Sequence, residues 1–245
     1  MPVTSDACGT PGNSCESLPF VGRRKEVSRL ESLHSRRRHV VLFGPAGIGK
    51  SALLRRVAGG VPLLMSPRSL RLSDVCAFLE RGLGSAGARQ RLPARVRHLL
   101  SAVGGTGATV VLDGVARAGS DLTWFVERLM ERVPVWIAAR SDDVRDLGRL
   151  WALSAGFERV ELSPFRPAET RAFVEAAVEL GLVPREAIRI VAWLHRQSAG
   201  SPLVLCELVA ALAEGRYDLG NPLALERLDL DRRIRQALSP SEEGP

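Results

Sequence analysis

The segment Gly44-Pro45-Ala46-Gly47-Ile48-Gly49-Lys50-Ser51 satisfies the pattern G-x-x-x-x-G-K-[ST] at every defined position. Residues of these types at this spacing bind phosphate. Glycines let the backbone wrap an anion with inward-pointing N–H groups at the start of a helix. Lys50 sets a cation against the β- and γ-phosphates of a nucleoside triphosphate, and Ser51 offers a hydroxyl to Mg²⁺. Only two lysines occur in the chain, Lys25 and Lys50, and one of them is here. ATP with Mg²⁺ is the expected ligand.

A magnesium–nucleotide site also needs a carboxylate at the end of a nearby strand. Thr109-Val110-Val111-Leu112-Asp113 supplies one, with Asp113 in the position of a Walker B aspartate, so Ser51 and Asp113 are the expected metal-side residues. Many ATPases carry a second acid immediately afterwards to orient or deprotonate the attacking water. Here that residue is Gly114, which has nothing to reach with. Asp121, Asp142 and Asp143 are the carboxylates that could substitute. ATP binding is therefore better supported than ATP turnover.

The elements that must position these residues alternate. Residues 39–43 form a short apolar run ending in glycine, suited to a buried parallel strand. Four further strands are predicted at 61–65, 109–112, 135–139 and 159–162. Helical spacing of apolar residues covers 23–35, 51–58, 72–83, 89–103, 122–133 and 144–153. Alternation of this kind reads as an α/β layer with a parallel sheet. After Pro164 the strands stop, and helices are predicted at 167–180, 185–197, 203–214 and around 223–237. The expected organisation is a flexible tail at 1–18, an α/β core at 19–164, a helical lid at 165–214, and a C-terminal extension at 215–245 that ends polar.

Composition excludes several classes. No apolar run approaches the roughly 18 to 20 residues of a membrane span, and the most apolar stretch, Pro202 to Ala213, is short and contains Glu207. The N-terminus has neither a basic start nor an apolar stretch, so no signal peptide is read and a cytoplasmic location is expected. Cys8, Cys15, Cys76 and Cys206 form no metal-binding spacing. The net charge of +7 is almost all arginine, which fits a GC-rich codon bias better than a selected nucleic-acid surface, although a basic face would attract DNA.

Five motifs in order resemble the AAA-type ATPase clade of STAND proteins and archaeal origin initiators, including the ATPase domains of large LuxR-type regulators. Pro19-Phe20-Val21-Gly22-Arg23-Arg24-Lys25-Glu26 looks like that clade's opening motif, which lies beside adenine; the resemblance makes Phe20, Val21, Gly22 and Arg23 base contacts. The phosphate loop and Asp113 follow. Val135 to Arg140 matches an apolar strand ending in a sensor arginine, so Arg140 would sense the γ-phosphate. Gly200-Ser201-Pro202 resembles a motif opening a lid helix, with Pro202 near the nucleotide; proline is also favoured at a helix start on its own account.

The resemblance implies a P-loop NTPase fold with a five-stranded parallel sheet in the order 5-1-4-3-2 and a C-terminal helical lid. It also implies that ATP or ADP sets the angle between core and lid. The chain has about 30 residues after the lid, too few for the effector modules of the larger relatives, so a stand-alone switch, a subunit acting on a partner, or a shortened regulator is expected. The leading function is an ATP-dependent switch with slow or conditional hydrolysis that works on a protein partner or by self-association. Its rivals are a DNA-acting helper ATPase, with Arg145 and Arg149 as arginine-finger positions, and a scaffold that binds nucleotide for stability alone.

Overall fold

In the first strand, β1 (Val40–Phe43), Val40, Val41 and Leu42 are all buried, so the strand has no solvent face and needs covering on both sides. The computed structural model describes residues 20–66, 71–84 and 91–238. The tail expected at 1–18 and the polar end at 239–245 lie outside the described residues. The described chain divides into two compact units, Arg23–Ser163 and residues 164–238 with 20–22.

In the first unit, β1 joins β2 (Leu63–Ser66), β3 (Thr109–Val115), β4 (Val135–Ala139) and β5 (Glu158–Glu161) in one sheet. The order is β2-β3-β4-β1-β5 and every pairing is parallel. This is the predicted order 5-1-4-3-2, read from the other edge. Helices α1 (Arg24–Ser35) and α2 (Lys50–Ala58) cover one face, burying Leu30, Leu53, Leu54 and Val57 with Leu42, Trp136 and Val160. The other face carries α3 (Leu72–Gly82), α4 (Leu92–Gly104) and α5 (Ser120–Met130), with Leu79, Leu99, Phe125 and Leu129 against Val41, Leu112 and Ile137. Arg95 donates twice to Glu80, each bond 2.8 Å, and joins α4 to α3. Those hydrogen bonds hold the Glu80 carboxyl below its usual range.

The helix expected at 144–153 is broken into α6 (Val144–Leu147) and α7 (Leu150–Leu153), followed by a 3-10 turn, Ser154–Gly156. The break is at Gly148, with φ 59° and ψ −134°. A Cβ there would lie 2.7 Å from Ala118 N, so the segments at 118 and 148 meet backbone to backbone. Arg117 N–H donates to Asp146 O (2.7 Å) and Arg149 N–H to Ala118 O (3.2 Å), replacing the helical bonds that would have run through this point.

The second unit is helical: α8 (Pro167–Glu179), a 3-10 segment (Arg185–Ile190), α9 (Val191–Ser198), α10 (Pro202–Ala213) and α11 (Pro222–Leu238). The helix predicted at 185–197 is therefore 3-10 in its first half. Phe173, Val174, Leu194, Leu205, Leu208 and Leu228 form the core of this unit. Among the described residues, no helix is long and apolar enough to cross a membrane.

Candidate functional site

Three glycines shape the loop between β1 and α2, at φ +151° (Gly44), +74° (Gly47) and +93° (Gly49). An L side chain rarely adopts such angles, so the glycine spacing is a backbone requirement. Gly44 is also crowded, since a Cβ would come within 2.6 Å of Leu162 O. Ile48, 2% exposed, anchors the loop in the core among the residues under α1 and α2. Pro45 and Ala46 are exposed at its crest. Gly49 caps α2 in the left-handed conformation without a side-chain hydrogen bond, and the first turn of α2 contains no acid. The first N–H groups of α2 and its positive dipole end are not neutralised by a carboxylate of that turn. Lys50 Nζ–H donates to Gly44 O (2.5 Å) and Pro45 O (2.9 Å), so its ammonium is held back across the loop. Ser51 follows, half-buried, on the first turn.

Sheet register brings Asp113 and Arg140 to the same carboxyl edge. Phe43 pairs with Ala139, so Gly44 and Arg140 leave adjacent strands at one level; Arg140 is exposed. Leu112 pairs with Ile137 and Val115 with Ala139, so Asp113 and Gly114 together oppose Ala138 in a β-bulge. Alternation puts Asp113 on the face of Val111, which is the face that α2 covers. Gly114 has φ +70°, which supplies the kink. Its identity thus answers a backbone demand, a reason the local sequence did not disclose.

The substitute carboxylates are engaged elsewhere or stand apart. Asp142 Oδ2 accepts from Arg159 Nε (2.5 Å), and Asp143 Oδ1 caps α6 by accepting from Arg145 N (2.7 Å) and Asp146 N (3.3 Å). Those backbone bonds hold the Asp143 carboxyl below its ordinary value. Asp121 is exposed on the first turn of α5. Sequence reasoning missed Arg159, which also donates to Ser154 O (3.1 Å) and Phe157 O (2.8 Å) and so fixes the segment that follows Arg140. Only its tertiary partners reveal that role.

Arg23 is buried, with φ 59°. Its guanidinium donates to Ser163 O (2.6 Å) and to Glu26 Oε1 (3.3 Å). Phe20 is exposed at 40%, and Val21 packs on the core of the helical unit. Gly22 has φ +74°, and a Cβ there would lie 3.4 Å from Glu169 Oε1, within the same unit. Pro202 opens α10. Gly200, two residues earlier, has φ +72° and would bring a Cβ within 2.4 Å of Phe165 O. Phe165 N–H donates to Gly200 O at 2.8 Å.

The donor set fits a magnesium–triphosphate: hard oxygens on Ser51 and Asp113, a cation on Lys50, and a glycine-permitted backbone cradle. No protein-family model matches the chain, and no curated protein does. Solved structures do. The Orc1 protein of Aeropyrum pernix, solved in complex with DNA, superposes with a TM-score of 0.65 at 17% identity, covering 89% of this chain and 68% of that one. The Walker-type ATPase PABY2304 of Pyrococcus abyssi gives 0.63 at 15%, covering 89% and 74%. Cdc6p of Pyrobaculum aerophilum gives 0.60 at 14%, covering 84% and 64%. With the sheet order and the phosphate loop, these similarities define the class: the chain has the fold of an AAA-type P-loop ATPase.

Proposed function

We propose that the chain binds ATP·Mg²⁺ through residues 44–51 and acts as a nucleotide-dependent switch that hydrolyses ATP slowly or only when triggered. The observation that carries this reading is the loop of three positive-φ glycines running into an uncapped helix, with Lys50 and Ser51 at its start. In this reading, backbone N–H groups of 44–51 bind the phosphates, and Lys50 exchanges its two carbonyl partners for phosphate oxygens. Ser51 and Asp113 would hold the metal, which would supply charge neutralisation to the triphosphate. Arg140 senses the γ-phosphate from the end of β4. Phe20, Val21, Gly22 and Pro202 belong to the adenine side by resemblance. The same role is least supported for Arg23, whose guanidinium is engaged by Ser163 and Glu26. Residues 165–214 act as the lid that responds to the nucleotide bound.

Titration of a fluorescent ATP analogue tests the reading. Lys50→Ala should weaken binding roughly a hundredfold or more while leaving the thermal midpoint near wild type. Equal affinity in both proteins would remove the site. The switch itself requires that ATP and ADP give different hydrogen-exchange protection in residues 164–238.

A second reading, a DNA-acting ATPase, draws on one edge of the sheet. Arg36–Arg38 precede β1, Arg55 and Arg56 end α2, and Arg132 follows α5; all are exposed, and parallel strands bring their starts to a single edge. Duplex DNA should then bind with a salt slope that falls when Arg36 and Arg37 are replaced by serine. No binding at moderate salt rejects this reading and leaves the first intact.

A further inference from the structure

Helix α11 has two apolar faces. Leu225 and Leu228 are buried in the helical unit, beside Asp229 and Arg232. Arg232 donates to Asp229 Oδ1 (2.9 Å) and Glu207 Oε2 (3.3 Å), tying this face to α10. The opposite face carries Leu223, Leu230, Ile234 and Leu238, exposed at 72%, 56%, 48% and 77%. Their spacings of seven and four residues align them in one stripe. Four large apolar side chains in a row exceed the scattered exposure of an ordinary surface. The stripe forms two heptads, with Leu223 and Leu230 at d and Arg227 and Ile234 at a.

We propose that α11 pairs antiparallel with α11 of a second copy of this chain. Charge selects that occupant. The g positions flanking the stripe are Glu226 and Arg233, both exposed. In an antiparallel pair g residues face g residues, so Glu226 of each copy meets Arg233 of the other, twice over by two-fold symmetry. In the same register Leu223 packs on Ile234, and Leu230 on the aliphatic stem of Arg227. A parallel pair would set Glu226 against Asp231 and Arg227 against Arg227, which like charge opposes. The e flank is locally balanced, since Asp231 accepts from Tyr217 Oη–H (2.8 Å) and lies 3.9 Å from Arg227 Nε. An open groove lined by Arg216, Tyr217 and Asn221 runs beside Leu223 and Ala224, leaving room along that flank.

Two heptads bury less than the roughly 1,200 Å² of a stable complex, so the dimer is weak and dissociates on dilution. Sedimentation velocity of the full 245-residue chain over a concentration series tests this. Wild type should pass from monomer to dimer. Leu230→Glu should weaken the dimer roughly a hundredfold, because each copy loses the same contact, with circular dichroism and melting unchanged at this exposed site. Glu226→Arg and Arg233→Glu should each weaken it several-fold. An equimolar mixture of those two variants should associate as well as wild type, because both cross-copy pairs become opposite in charge again. Asp229, which Arg233 also contacts, stays paired with Arg232, so folding is retained. A wild-type monomer at every concentration, a dimer indifferent to Leu230→Glu, or a mixture that fails to recover would overturn the proposal.

Discussion

The junction from β1 into α2 and the junction into α10 each begin with a glycine pressed against a neighbouring backbone. A Cβ on Gly44 would lie 2.6 Å from Leu162 O, and one on Gly200 would lie 2.4 Å from Phe165 O. Beyond that glycine they diverge. Helix α2 starts from left-handed Gly49 and continues with Lys50 and Ser51. Helix α10 starts from extended Ser201 and continues with Pro202, which has no N–H, and exposed Leu203. One junction gathers donors and a cation at a helix start; the other removes a donor and shows a hydrocarbon. Crowding at a glycine marks where backbones meet, and the residues after it decide whether an anion is accommodated.

The largest effects come from the glycines themselves. Gly44→Ala and Gly200→Ala should each cost about 2–4 kcal/mol in chemical denaturation, from strain and backbone overlap. Only Gly44→Ala should also abolish ATP binding; Gly200→Ala, assayed where it is folded, should keep affinity within about twofold of wild type. Loss of binding in folded Gly200→Ala would erase the distinction between the junctions. Next, Asp113→Asn should remove about tenfold of ATP affinity in Mg²⁺ and almost none in EDTA, measured by calorimetry, because the carboxylate acts through the metal.

Gly114 sharpens the contrast within the first unit. Supplying a second acid by Gly114→Glu would ordinarily test whether a missing base limits hydrolysis. Here φ +70° makes that substitution cost about 1–2 kcal/mol by itself, so Gly114→Asn is the matched control, asparagine being more at ease in that conformation. A rise in ATPase rate with glutamate but not asparagine would assign the limitation to the base. The smallest effect belongs to Pro202→Ala: under about 1 kcal/mol of stability and no change in ATP affinity if proline only starts the helix. A clear loss of affinity would support the adenine-side role proposed for Pro202, and unchanged affinity would remove it.

The phosphate loop was legible because its requirements are local: each glycine, the lysine and the serine occupy fixed offsets from one strand end. Strands β1 to β4 were legible for a similar reason, as short apolar runs that stop at polar or glycine positions. Contacts distant in sequence were not. Nothing in residues 144–153 reports that Gly148 meets Ala118, so one helix was expected where two short ones form. The third strand was expected to stop at 112 with Asp113 at its end, whereas Val115 rejoins Ala139 beyond the bulge. The motif resemblance carried a base-contact role for Arg23, and nothing in residues 19–26 reports the hydrogen bond it makes to a carbonyl 140 residues away.

That bond joins the first residue of the α/β unit to its last, Arg23 to Ser163. A unit whose two chain ends are fastened together is topologically portable: it can be lifted into another host as an insert, or reopened elsewhere and closed across 163 and 23 by a short linker. Tension applied at those ends would load this one guanidinium clasp first and leave the parallel sheet, with the phosphate loop at its edge, unstretched until the clasp opened.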